Sequence, residues 1–248
     1  MKRRMIVTVG ASLFHSASWK NEGPFQDIQG YGKWFDGDRL DHPSKRLSIV
    51  DGDRGELTGA FVREQLRRLL SASSASQLSQ FVAQDLDRPL RYSAEISTIL
   101  KLHAHHRNSH NEAGFGSFLH SAYERVIFVC AAAATDDSYI AAQHLSAQLA
   151  QVASLGAGLV RVSSEIEGET LEQRTECFGN YLGTLARTNG ACDLVVSGGY
   201  KIYGIQAALI LPQQNDWRLI YLHEDDEDPQ LVGFTSRGYL PGEDLASS

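Results

Sequence analysis

Val126-Ile127-Phe128-Val129-Cys130 decides the fold class, because five consecutive apolar residues have the length of a strand and leave no polar face for solvent. Ile140, Leu145, Leu149 and Val152 then mark a helix, which Gly156 and Gly158 end, and Leu159-Val160-Arg161-Val162 reads as the next strand. Leu171, Thr175, Phe178, Leu182 and Leu185 recur at i, i+4, i+7, i+11 and i+14, the longest helical stripe in the chain. Beyond it, Asp193 to Val196 is a strand, Tyr200 to Leu211 a helix halted by Pro212, Leu219 to Leu222 a strand, and residues 230 to 235 a final edge strand. Strands alternating with helices predict an α/β protein with a mainly parallel sheet covered on both faces.

Toward the N-terminus the pattern is weaker. Met5 to Val9 forms a strand that is apolar on both faces and ends at Gly10. Residues 20 to 56, rich in Gly, Asp and aromatics and lacking a sustained period, read as a long excursion of lid-like length. Val62, Leu66 and Leu69 predict a helix from Leu57, and a short helix follows over Leu78 to Val82. Another helix begins near Ser93, buries Ile96, Ile99 and Leu100, and frays into His103-Ala104-His105-His106. Arg107 to Ser117 is polar and contains glycine, so the region around 103–120 is expected to be a surface loop. No repeat or linker divides the 248 residues, and one domain over 1–248 is expected.

Composition narrows the function. At 42% apolar and 21% charged residues the chain has the makings of a filled core. Of the net charge of −7, most is accounted for by the acidic run Glu224-Asp225-Asp226-Glu227-Asp228, the simplest reading of which is a solvated loop. A surface-wide grip on duplex DNA, which needs many phosphate-neutralising cations, is not expected. Cys130, Cys177 and Cys192 are odd in number and lack C-x-x-C spacing, so they read as core or half-buried thiols in a reducing compartment. The run after Met1-Lys2-Arg3-Arg4 is too short for a signal peptide, and no apolar stretch is long enough to span a membrane. A cytoplasmic protein is expected.

Two strand ends carry unusual chemistry. Gly10-Ala11-Ser12-Leu13-Phe14 leaves a serine hydroxyl and free amides just past the first strand, and Ser197-Gly198-Gly199-Tyr200-Lys201 lies between a strand and a helix. Paired glycines let a backbone approach a ligand, and the helix's first amides favour an anion. A cation in that first turn is unfavourable with the helix dipole unless an anion lies between them; the same residues are equally a tight turn followed by a solvated lysine. Neither segment has the spacing of a dinucleotide fingerprint, a P-loop or a nucleophile elbow.

Together, Ile6-Val7-Thr8-Val9-Gly10-Ala11-Ser12-Leu13 and Leu194-Val195-Val196-Ser197-Gly198-Gly199-Tyr200-Lys201 resemble the CRISPR-associated Rossmann-fold (CARF) family. Tyr92-Ser93-Ala94-Glu95-Ile96 and Tyr221-Leu222-His223-Glu224 resemble further parts of that family in the same order, whereas 20–56 and 103–120 match nothing in it. The resemblance implies a Rossmann-like α/β fold and a homodimer that binds a cyclic oligoadenylate on its two-fold axis. Many family members carry an RNase domain with an R-x(4–6)-H motif. Here the sequence ends at Ser248, soon after the last expected strand, and Arg218 to His223 spans a strand, whose period would splay the two side chains to opposite faces. The chain is therefore similar to the standalone ring nucleases of the family.

In that group the serine after the first strand and the lysine of the glycine motif serve the reaction, which implies Ser12 and Lys201 as catalytic residues. Gly10, Ala11, Leu13, Phe14, Thr135, Ser197, Gly198, Gly199 and Tyr200 are the implied ligand-binding residues, although Thr135 reads equally as a helix cap. The implied reaction is attack of a ribose 2′-OH on its neighbouring phosphorus, and no cofactor or metal is expected. His15 is the nearest candidate for proton transfer; without a base at either motif a slow enzyme is expected. His103, His105, His106 and His110 lack acidic or thiol partners at a recognised spacing and do not read as a metal site. A non-catalytic sensor of the same ligand, or an unrelated Rossmann-like enzyme acting on another nucleotide, are the alternatives.

Overall fold

The computed structural model describes residues 2–10, 50–51, 55–56, 93–110, 114–131, 137–152, 158–166, 170–188, 190–197, 201–223 and 230–245. Along the chain these form β1 (Arg3–Thr8), β2 (Val50–Asp51), β3 (Gly55–Glu56), α1 (Ala94–His110), α2 (Phe115–Ala122) and β4 (Tyr123–Ala131). There follow α3 (Asp137–Val152), β5 (Val160–Ile166), α4 (Leu171–Ala186), β6 (Cys192–Val195) and α5 (Lys201–Ile210). A 3₁₀ turn (Leu211–Gln213), β7 (Trp217–His223), β8 (Gln230–Thr235), β9 (Gly238–Pro241) and the short α6 (Gly242–Leu245) complete the order.

The main sheet has seven strands in the order β5-β4-β1-β6-β7-β8-β9. The first five are parallel, and β8 and β9 extend the sheet as antiparallel strands. The expected mainly parallel α/β architecture is thus present. Strand alternation feeds two cores. Met5, Val7, Val126, Phe128, Val195 and Ile220 pack on one face with Ile99 of α1 and Leu145 of α3, whereas Ile6, Val129, Leu194 and Leu219 pack on the other with Phe178 of α4 and Tyr203 of α5. Helices cover both faces. Among the described residues no helix is long and apolar enough to cross a membrane.

Local chemistry sets several boundaries. The Ile96 amide donates to Ser93 Oγ at 3.1 Å, which caps α1 where the sequence placed its start. In α4, the Gln173 amide donates to Thr170 Oγ1 and the Thr170 amide to Gln173 Oε1, a reciprocal capping box. Its stripe narrows in the structure: Phe178 and Leu182 are buried, while Leu171 is 54% exposed. Cys130 and Cys192 are buried and Cys177 half-buried, all as free thiols.

The region around 103–120 corrects the expectation of a loop. Helix α1 continues to His110, and α2 starts at Phe115. The histidine run reads as polar in sequence, yet the His103 ring is buried against Phe115 and Phe118, at centroid distances of 5.3 and 5.4 Å. His106 also contacts Phe118, at 4.9 Å. Imidazole thus acts here as a flat core side chain that extends the apolar stripe. Within the expected excursion over 20–56, β2 and β3 pair antiparallel. Strand β9, which sequence did not single out, pairs with β8 across a turn at Ser236-Arg237, and its first residue, Gly238, leaves that turn with φ at +117°. The helices expected over 57–69 and 78–82 and the acidic run 224–228 lie outside the described residues.

At the amino edge of the sheet an ion cluster ties four strands. Fully buried Asp193 of β6 accepts from Arg3 Nε of β1 at 2.7 Å and from Tyr123 Oη of β4 at 2.8 Å. It also accepts from Arg218 Nε and Nη2 of β7, at 2.8 and 2.6 Å. Arg218 Nη1 donates to the Leu245 carbonyl, fastening α6 beneath the same core. Burial by itself would raise the Asp193 carboxyl, but the Arg218 charge and hydrogen bonds, then Arg3 and the Tyr123 hydroxyl, hold it below its ordinary value. Arg218 is therefore a structural partner of Asp193, and His223 at the far end of β7 is exposed. The R-x4-H spacing does not form a paired site.

Candidate functional site at the carboxyl ends of the strands

All five parallel strands deliver their carboxyl ends to one edge. There β1 lies between β4 and β6. The connection from β1 runs by way of α1 and α2 to β4, whereas that from β6 runs by way of α5 to β7, on the opposite sheet face. Connections diverging from adjacent strands leave a crevice beyond their ends, the usual ligand position in open α/β sheets. Val7 is in register with Val195, so the ends of β1 and β6, at Gly10 and Ser197, lie side by side.

Helix α1 closes that edge. Glu95, in its first turn and fully buried, accepts the Gly10 amide on Oε1 at 2.9 Å. Thr98, one turn on, places its hydroxyl 2.6 Å from Ser197 Oγ and 2.6 Å from the Ala94 carbonyl. Ser197 Oγ in turn accepts the Leu222 amide of β7 at 3.0 Å. The Thr8 hydroxyl donates to the Val195 carbonyl at 3.3 Å, and the Val9 amide to Val129 O at 2.9 Å. Both strand ends are consequently fixed from two sides.

Of the expected residues, these bonds engage Gly10 and Ser197. The Gly10 amide is engaged by Glu95, and the Ser197 hydroxyl links α1, β6 and β7. Lys201 opens α5, so its backbone stands at the helix N-terminus beyond β6. Ala11, Ser12, Leu13, Phe14, His15, Thr135, Gly198, Gly199 and Tyr200 lie outside the described residues. Among the described residues, no cluster of three or more His, Cys, Asp or Glu side chains is arranged to hold a metal ion.

Glu95 and Thr98, which bond the two strand ends, are residues that sequence reading left without a role. A signal for them existed. On a helix, Glu95, Thr98 and Leu102 fall at i, i+3 and i+7, a polar pair within a stripe that ends in an apolar core residue. Buried polar groups need partners, so such a pair marks a place where a helix meets a strand end rather than a strand flank. No family model matches the chain, and no curated protein matches it.

Proposed function

We propose that the protein is a ring nuclease, a Rossmann-like CARF-type homodimer that opens a cyclic oligoadenylate at the crevice between β1 and β6. The observation that carries this reading is the juxtaposition of the strand ends at Gly10 and Ser197, which lead into the two segments holding Ser12 and Lys201. The order β5-β4-β1-β6-β7, with flanking helices divided between the faces, supports the Rossmann-like assignment. A small cyclic RNA also suits an acidic protein, since it requires local amides and one cation per subunit rather than a basic surface.

In the proposed reaction the 2′-oxygen attacks the adjacent phosphorus in line. The O2′–P bond forms as the P–O5′ bond breaks, and the 2′-hydroxyl proton ends on the departing 5′-oxygen. A linear oligoadenylate with a 2′,3′-cyclic phosphate results, without metal or water as a reactant. The protein contributes by holding the in-line geometry and by placing the Lys201 ammonium and loop amides against the phosphoryl oxygens. A ring of four adenylates can share a two-fold axis, so each protomer supplies one Ser12 and one Lys201. Ile205 and Leu209, which are exposed on α5, offer apolar surface for the second copy. Such a protein would act in the cytoplasm to end type III CRISPR signalling.

The test is incubation with cyclic tetra-adenylate in EDTA, followed by chromatography. Linear di-adenylate bearing the cyclic phosphate supports the reading, and Ser12→Ala should slow turnover more than it weakens binding. Lys201→Ala should reduce both. Intact ring that co-elutes with the protein identifies a sensor, and failure to bind rejects both. Cleavage at the wild-type rate by both variants rejects the site assignment.

A further inference from the structure

We propose that Glu95 is a positioning residue of this site, whose carboxyl oxygen fixes the Gly10 amide at the carboxyl end of β1, two residues before Ser12 in the sequence. The catalytic half of the inference rests on the reaction proposed above; the geometric half does not. A fully buried carboxylate is an expensive group to place in a core helix unless hydrogen bonds compensate it. Here the Glu95 side chain accepts the amide of Gly10, the last described residue of the β1 segment, at 2.9 Å, a distance at which donor and acceptor hold each other in place.

Its neighbour one turn along gives the arrangement its meaning. Glu95 and Thr98 stand at i and i+3, on one side of α1, and reach different strands: Glu95 the end of β1, Thr98 the end of β6 through Ser197. The Leu222 amide extends the second arm to β7. A single helix therefore sets the separation of the two strand ends, at Gly10 and Ser197, that lead in sequence to Ser12 and Lys201. Catalysis by in-line geometry is sensitive to that separation, whereas ring binding, spread over many contacts, is less so. What Glu95 provides is an acceptor at a fixed point, and a glutamine carbonyl oxygen can supply the same acceptor.

Two readouts on the full-length protein test this. In the ligand-free protein, the Gly10 amide should be protected from hydrogen exchange in the wild type and in Glu95→Gln. It should exchange at least about tenfold faster in Glu95→Ala and in Glu95→Asp, whose carboxylate is retracted by one methylene, because the native bond that closes the amide is gone. The aspartate variant keeps the test intact if alanine prevents folding. With cyclic tetra-adenylate, Glu95→Ala or Glu95→Asp should cleave about 10²-fold more slowly at saturation, as a displacement near 1 Å would cause, with less than about threefold change in Kd. Glu95→Gln should recover most of that rate. Unchanged Gly10 exchange in the alanine and aspartate variants overturns the inference whatever the protein cleaves. So does faster exchange with unaltered turnover, or a glutamine variant as impaired as alanine. A wild-type protein that neither binds nor opens the ring overturns the proposed reaction instead, while the exchange result still decides the geometry.

Discussion

Replacing Asp193 by asparagine should destabilise the protein by about 3–4 kcal/mol, within the range of about 3–5 kcal/mol for removing one partner of a buried ion pair. The carboxylate is fully buried and accepts four hydrogen bonds, from Arg3, Tyr123 and, twice, Arg218. Asparagine keeps an acceptor at Oδ1 for Arg3 Nε and Arg218 Nε but turns a donor toward Arg218 Nη2 and the Tyr123 hydroxyl. It also leaves two arginines without their shared counter-charge. The lower part of the range applies because the Arg3 side chain is 16% exposed and can draw on water, unlike Arg218 at 7%. Urea unfolding followed by circular dichroism measures the loss as a lower midpoint at constant slope, and heating should show a drop of about 6–16 °C in Tm. A loss below about 1 kcal/mol would refute the claim that Asp193 holds the arginines in place. The partner experiment is Asp193→Leu with Arg218→Met: the double variant should be less destabilised than the sum of the two singles, because each single strands a buried charge.

The same cluster gives a pH dependence. Because Asp193 is held below its ordinary value of 3.8, its stabilisation is complete above that value and disappears as pH falls beneath it toward the lowered native value. Urea midpoints of wild type and Asp193→Asn should therefore converge in that acidic window and diverge above it. Thr170→Ala removes the capping-box hydroxyl and should lower stability by about 1 kcal/mol in chemical denaturation, with no effect on ligand binding. At Gly233 an added Cβ would stand 2.8 Å from Leu245 Cδ2 and 3.1 Å from the Leu240 carbonyl, so Gly233→Ala should reduce stability by about 1–3 kcal/mol in thermal melts.

The sequence by itself determined the α/β class and the existence of each parallel strand, because apolar runs such as Val126 to Cys130 are buried on both faces and local pattern reports burial directly. It also located the start of α1, since a serine cap acts within one turn. Only the tertiary structure decided that His103 belongs to the core, since that depends on Phe115 and Phe118 arriving from the next helix. The sequence indicated that Gly10 and Ser197 are strand ends; that they lie side by side follows from β6 entering next to β1, a pairing of residues 188 positions apart, such as Ile6 with Leu194. Asp193 looked like one more residue of a strand, and became the counter-ion of the amino edge through Arg3 and Arg218, which lie 190 and 25 residues away. Glu95 and Thr98 follow the same rule. Local periodicity places a polar residue on a helix face, but the strand end that it meets is fixed by long-range packing, and their hydrogen bonds exist only once the sheet has its order.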